Sequence, residues 1–146
     1  MLRFDFRGGG ASDGTHDQGR AERDDLVLAA RQVSAGSPVV LVGYSFGSVV
    51  CLGVDDESVL GWVGIAPPLT FDFEPGLPAA RDARPKLLLV PEHDQYCTPA
   101  AALGIVECDA WQSTRVEPVD STDHFLAGRV ESVSLRVVEW ISELFG

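Results

Sequence analysis

The feature that most constrains this chain is the pentapeptide Gly43-Tyr44-Ser45-Phe46-Gly47, which directly follows an apolar run at residues 39–42. The run predicts a buried strand, and residues 48–52 predict the start of a helix. A Gly-x-Ser-x-Gly sequence in this context is typical of a turn so tight that its serine takes a strained backbone conformation. We expect both flanking glycines to be needed, because a Cβ at either position would collide with the turn. The pattern predicts a serine nucleophile at Ser45.

Two further candidate residues each follow a predicted strand. Asp94 comes after residues 86–90, and His124 comes after residues 115–119. Parallel strands bring their carboxyl ends to one edge of the sheet, where open α/β sheets place their ligand sites. A serine, an acid and a histidine that meet there can act as nucleophile, orienting group and base. The sequence therefore predicts a catalytic triad of Ser45, Asp94 and His124, with the backbone N–H of Phe46 as an oxyanion donor.

The sequence leaves other assignments of these residues open. Ser45 also fits an ordinary turn serine that lacks a base, and Glu92 can take the place of Asp94. His93 is a rival base, although an extended loop would direct its side chain away from that of Asp94. His16 lies in a loop rich in glycine and aspartate, where we expect it to be solvated.

Four segments, taken in order, resemble motifs of the α/β-hydrolase superfamily. Residues 5–14 resemble its D-x-R-G-x-G-x-S-x-G loop, and residues 43–47 resemble its nucleophile elbow. The regions around Asp94 and His124 resemble its acid and histidine loops, and the order serine, acid, histidine is also that of the superfamily. Ala66-Pro67-Pro68 adds a likeness to small bacterial and archaeal hydrolases of the dienelactone-hydrolase-like kind. The resemblance implies a serine hydrolase.

Predicted strands and helices alternate along the chain. Strongly apolar strands separated by helices indicate a parallel sheet covered on both faces. The sequence thus predicts one α/β domain over residues 1–146, without a cap domain. We expect a three-layer α/β/α sandwich with a mainly parallel sheet, an α/β-hydrolase fold lacking its N-terminal strands. The predicted strands are residues 2–6, 39–42, 61–65, 86–90 and 115–119, and the predicted helices are residues 18–35, a helix opening at 48–52, a helix capped by Thr98, and residues 130–145.

The start of the chain is shorter than the resemblance implies. Only four residues precede Asp5. The family places a strand between residues 2–6 and the elbow strand, followed by a loop with a second oxyanion donor. We expect both to be missing and the chain to be N-terminally truncated, and we leave open whether Met1 is the true start. Because a bare strand edge leaves N–H and C=O groups unpaired, we expect residues 2–6 to pair directly with residues 38–42.

The amino-acid composition indicates which partners and which cellular environment suit this protein. A net charge of −11 at pH 7 disfavours nucleic acid and anionic membrane surfaces. Lys86 is the single lysine, and the chain is rich in aspartate. This balance favours a halophile, since salt screens the self-repulsion of an acidic protein. The three cysteines lack metal-ligand spacing, which favours reduced thiols in a cytoplasmic protein without a metal site.

The function expected from these features is hydrolysis of small carboxylic esters through an acyl-enzyme, without a cofactor. The alternative is a catalytically weak or inactive α/β-hydrolase-like binding module, because the second oxyanion donor is expected to be absent. Residues 69–85 are too few for a cap, so we expect an open site. The sequence does not decide between ester, thioester and peptide substrates, nor does it give the oligomeric state. The predicted substrate contacts are Tyr44, Leu69, Phe71 and Tyr96, with Phe46 and Phe73 also lining the site.

Overall fold

Strands and helices alternate in the computed structural model, which describes residues 1–73 and 76–146. One short 3-10 helix, Pro78–Arg81, lies between the second and third strands. Strand–helix units of this kind place consecutive strands in parallel, with the helices as crossovers. The strands are Val39–Tyr44 (β1), Val59–Ile65 (β2), Lys86–Pro91 (β3) and Thr114–Val119 (β4), and the helices are Arg20–Ser34 (α1), Phe46–Leu52 (α2), Pro99–Cys108 (α3) and Val130–Phe145 (α4).

The four strands form one parallel sheet in the order β1-β2-β3-β4. Side chains alternate along each strand, so the sheet contributes to two cores. Leu41, Trp62 and Leu88 pack in the core shared with α1, α2 and α3. Val63 and Leu87 pack in the core shared with α4. The predicted α/β/α sandwich is confirmed, and the carboxyl ends of all four strands lie at one edge of the sheet.

Most predicted elements are found within two residues of their predicted ends. Helix α2 begins at Phe46, two residues before the predicted start, because Ser45 is already the N-cap residue of the helix. Thr98 caps α3 as predicted, and its side chain accepts the N–H of Ala101 at 3.3 Å. No helix in the described part of the chain combines the length and apolar character needed to cross a membrane.

The N-terminal segment does not form the predicted strand. Across the described ranges, no main-chain hydrogen bond joins residues 2–6 to residues 38–42. Its acceptors are used locally: Ser12 Oγ donates to the carbonyl of Asp5 at 2.7 Å, and Gly9 N–H donates to the carbonyl of Phe6 at 2.9 Å. Local turns of this kind compete with a strand ladder for the same carbonyls. The predicted strand at residues 2–6 and its pairing with β1 are therefore both wrong.

Aromatic and ionic contacts hold the N-terminal segment instead. The ring centroids of Phe6 and Phe46 lie 6.0 Å apart in an edge-to-face arrangement. Arg7 donates two hydrogen bonds, of 2.6 and 2.7 Å, to the carboxylate of Asp25 on α1. Two-bond arginine–carboxylate pairs are among the stronger polar contacts in proteins. The segment therefore lies against α1 and α2, beside the turn that carries Ser45.

Candidate active site

Ser45 lies in the turn between β1 and α2, at the carboxyl edge of the sheet. Its backbone has φ 50° and ψ −120°, a conformation that is costly for a residue other than glycine. Two hydrogen bonds support it: Ser45 N–H donates to the carbonyl of Ile65 at 2.8 Å, and Ser48 Oγ donates to the carbonyl of Ser45 at 2.5 Å. The strained serine backbone predicted from the pentapeptide is confirmed.

The two glycines of the pentapeptide differ in what they permit. A Cβ at Gly43 would lie 2.2 Å from the carbonyl oxygen of Gly47 and 2.6 Å from the nitrogen of Ser48. A Cβ at Gly47 would meet only the ring of Phe6, at 3.8 Å, which is ordinary contact. Gly43 is thus required by the close approach of strand and helix. The expectation that Gly47 is equally required is wrong, because its Cα faces the edge of a ring and not the backbone.

We therefore expect Gly43→Ala to lower the free energy of unfolding by about 3 kcal/mol or more, because backbone atoms on both sides would have to move. Gly47→Ala is the matched control. It places alanine inside a helix, where alanine is favoured by up to about 1 kcal/mol, so we expect little change or a small gain. Urea denaturation of the two variants measures both effects, and equal destabilisation would contradict the requirement for glycine at position 43 alone.

His124 connects the serine to the acid. Ser45 Oγ lies 2.8 Å from His124 Nε2, and His124 Nδ1 lies 2.8 Å from Asp94 Oδ2. His124 and Asp94 are both buried, at 4% and 3% exposure, whereas Ser45 is half-buried. The three predicted side chains therefore form one hydrogen-bonded chain, within the range of 2.6–3.2 Å at which a base can take a proton from a nucleophile.

The carboxylate of Asp94 is fixed on its other side by the backbone of its own loop. Asp94 Oδ1 accepts the N–H of Tyr96 at 2.8 Å and that of Cys97 at 3.4 Å. Both N–H groups can only donate, so Oδ1 must accept, and Oδ2 is left for His124. An acceptor at Oδ2 keeps the proton of the imidazole on Nδ1 and leaves Nε2 free to accept from Ser45.

The rival residues lie elsewhere. The side chain of His93 is 68% exposed and lies 3.8 Å from Glu92. Glu92 accepts the N–H of Ser121 at 2.8 Å, so it supports the loop that carries His124. His16 is exposed, as predicted, and its Nδ1 lies 2.9 Å from the buried carboxylate of Glu22. Its ring centroid also lies 5.0 Å from that of Phe46, beside the serine turn.

Aromatic side chains surround the imidazole of His124. The ring centroid of Tyr96 lies 4.7 Å from it and that of Tyr44 lies 5.5 Å from it, and Phe71 pairs with Tyr96 at 6.1 Å. Leu69, the fourth predicted substrate contact, is buried in the core. Tyr44, Phe71 and Tyr96 are exposed and can meet a ligand.

Two aromatic contacts with His124 were not predicted from the sequence. Phe125, exposed beside the site, lies 5.7 Å from the His124 ring. The hydroxyl of Tyr44 donates to the carbonyl of His124 at 2.9 Å. Burial, followed by the charge of Asp94, raises the pKa of this phenol, so it keeps the proton that it donates. The position of Phe125 next to His124 in the sequence is the only signal that could have identified it.

The predicted oxyanion donor, Phe46, opens α2. The first N–H groups of a helix have no acceptor within the helix and carry partial positive charge. Phe46 is the first residue of α2 and directly follows Ser45, so its N–H belongs to this group. This arrangement can stabilise negative charge next to the serine.

Two cavities lie apart from Ser45, which is half-buried. A cavity of about 590 Å³ lies between the N-terminal segment and α1. A second, of about 740 Å³, lies between α1, the segment before β3 and α3. Neither is lined by Ser45 or His124. A ligand at the serine would therefore be held against an exposed aromatic surface.

The chain is similar in structure to several solved hydrolases. A serine hydrolase homologue from Coxiella burnetii has a TM-score of 0.82 and 26% identity, over 94% of this chain and 66% of that one. A serine hydrolase without a lid from Xanthomonas campestris has a TM-score of 0.75 and 29% identity, over 90% of this chain and 60% of that one. An esterase from Pyrococcus furiosus, with 16% identity and a TM-score of 0.75, shares the fold over 97% of this chain and 70% of that one. The sequence matches no protein-family model and no curated protein.

Fold and neighbours together define the α/β-hydrolase fold. The chain has the α/β-hydrolase fold and is similar to solved α/β serine hydrolases, as the sequence motifs predict. It spans 66% and 60% of the length of the first two structures above. These two neighbours are described as a serine hydrolase homologue and a serine hydrolase.

Proposed function

We propose that this chain is a serine hydrolase that cleaves small carboxylic esters by way of an acyl-enzyme. The observation that carries the proposal is the pair of 2.8 Å contacts that link Ser45 to His124 and His124 to Asp94. A serine hydroxyl is a weak nucleophile until a base takes its proton, and an imidazole oriented by a buried carboxylate is such a base. Similarity to serine hydrolases from two bacteria supports the same chemistry.

Each group has a defined part in the reaction. Ser45 Oγ attacks the acyl carbon while His124 Nε2 takes the hydroxyl proton. The resulting oxyanion accepts the N–H of Phe46, and Nε2 then gives its proton to the departing alcohol, which leaves an ester on Ser45. Water attacks that ester as it passes a proton to Nε2, and Ser45 departs with this proton. Asp94 stabilises the imidazolium in both halves.

The surroundings favour small, uncharged esters. Tyr44, Tyr96 and Phe71 present exposed ring surface beside His124 and carry no charge at neutral pH. An aromatic surface can hold the apolar part of an acyl or alcohol group. Because the site is open, it selects little by size, and short esters such as p-nitrophenyl acetate are suitable first substrates.

The test is covalent labelling with a fluorophosphonate, because this probe reacts at useful rates only with an activated serine. We expect a single label on the folded protein, at Ser45 by peptide mapping. Heat-denatured protein and the Ser45→Ala variant should remain unlabelled. A label on a different serine would contradict the nucleophile assignment. Absence of label on well-folded protein, at low and at high salt, would favour the alternative of an α/β-hydrolase-like binding module.

A further inference from the structure

Arg23, on α1, is a buried cation without a partner in the described part of the chain. The residue is 8% exposed, and its Nε has no hydrogen-bond acceptor there. Burial lowers the pKa of the guanidinium, and no carboxylate opposes that effect. More exposed arginines are paired: Arg7 with Asp25, and Arg136 with Glu117. A buried guanidinium is costly unless an anion or several acceptors accompany it.

The surrounding structure makes room for this side chain. A Cβ at Gly53, the residue that ends α2, would lie 2.0 Å from Arg23 Nε and 2.3 Å from its Cζ. The guanidinium therefore lies flat against the glycine backbone. A role in helix capping alone would place its N–H groups on the last carbonyls of α2, and no such hydrogen bond is present between these described residues.

The second cavity described above, of about 740 Å³, has both Arg23 and Gly53 in its lining. Its wall is partly apolar and partly polar, and Leu77, Ile105 and Trp111 belong to the apolar part. The charged side chains Arg81, Asp72 and Asp109 also line it, but all three are exposed and so lie near solvent. The volume suits a small molecule, and such sites typically combine apolar walls with one or two polar anchors.

We propose that this cavity binds a small molecule with an apolar body and one carboxylate, and that Arg23 holds the carboxylate. The planar guanidinium can donate two parallel hydrogen bonds to a carboxylate, which supplies the anion that the described residues do not provide there. The apolar body lies against Leu77 and Trp111. The site contains none of Ser45, Asp94 and His124, so the proposal does not depend on the proposed function.

The test compares hexanoate with hexanamide, which has nearly the same shape and no charge, by NMR titration of the unmodified protein. We expect hexanoate to shift the indole N–H of Trp111 and the amide of Gly53, with the indoles of Trp62 and Trp140 as internal references. Charge-assisted hydrogen bonds predict that hexanoate binds at least about tenfold more tightly than hexanamide. Equal binding of the two compounds, or hexanoate shifts confined to the surroundings of Ser45, would overturn the proposal.

Two variants test whether Arg23 causes the preference for hexanoate over hexanamide. Arg23→Met keeps the length of the stem without the charge, and we expect it to lose the preference for hexanoate. Arg20→Met is the matched control on the same helix: Arg20 is exposed and pairs with Asp17, so the preference should remain. A retained preference in Arg23→Met would contradict the assigned role. Should that variant fail to fold, the comparison on the unmodified protein still decides the question, and neither readout uses enzymatic activity.

Discussion

Replacement of Ser45 by alanine is expected to reduce the hydrolysis of p-nitrophenyl acetate by about 10³-fold or more in kcat/KM. The reason is that Ser45 Oγ is the atom that attacks, and without it His124 has no hydroxyl to activate. Removal of a triad serine leaves only the catalysis that the oxyanion site and substrate binding provide. Fluorophosphonate labelling of the variant should vanish in parallel, while its thermal unfolding should change little.

Ser48→Ala is the control for this experiment. Ser48 lies three residues from Ser45, is fully buried, and donates its hydroxyl to the Ser45 carbonyl. Loss of that hydrogen bond should cost about 1 kcal/mol of stability and leave the rate within about tenfold of the parent. If Ser48→Ala abolished the reaction and Ser45→Ala did not, the nucleophile would be misassigned.

The candidate site could be predicted from the sequence because each of its three side chains follows a predicted strand. Once the strands are parallel, their order in the sheet fixes which loops meet, and the turn at Ser45 brings the serine to the same edge. What the sequence does not contain is the orientation of each side chain. The two N–H groups that fix Asp94 depend on a loop conformation that residue types alone do not specify.

The N-terminal segment shows why the rest could not be predicted. Apolar and charged residues alternate at positions 2–6, and this local pattern is typical of a strand. No strand forms because the turn at Gly8–Gly10 competes for the same backbone carbonyls. The local hydrogen bonds of this turn occupy the acceptors that pairing with β1 would use. His16 is a similar case: its contact with Glu22 requires that the loop fold back on α1, which no spacing rule describes.

The orientation of the Arg23 side chain could not be predicted from the sequence for a different reason. Its spacing from Leu26 and Ala30, three and seven residues on, puts it on the packed face of α1. A charged residue on such a face usually extends its head to solvent. Whether the guanidinium of Arg23 reaches solvent depends on Gly53, the small residue that follows α2, and on the cavity that both residues line.

Asp94→Asn should lower kcat of the same esterase reaction by about 10²–10⁴-fold while leaving the fold intact. The backbone N–H groups of Tyr96 and Cys97 require an acceptor, so the amide oxygen should take the place of Oδ1 and the NH₂ group should face His124. A donor at that position reverses the tautomer of His124, with Nδ1 now accepting and Nε2 carrying the proton. Nε2 then cannot take the proton of Ser45.

His93→Asn is the control for Asp94→Asn, because it introduces the same residue at the adjacent, exposed position. We expect kcat within about twofold of the parent, since the side chain of His93 is exposed and lies beside Glu92. The N–H that His93 donates to the carbonyl of Thr122 is kept in the variant. The rate of fluorophosphonate labelling separates the explanations: an altered tautomer slows labelling of Asp94→Asn as much as it slows turnover. Normal labelling with lost turnover would mean that Asp94 acts after the acyl-enzyme forms. A loss in His93→Asn equal to that in Asp94→Asn would make His93 the base and would reject the assignment of His124.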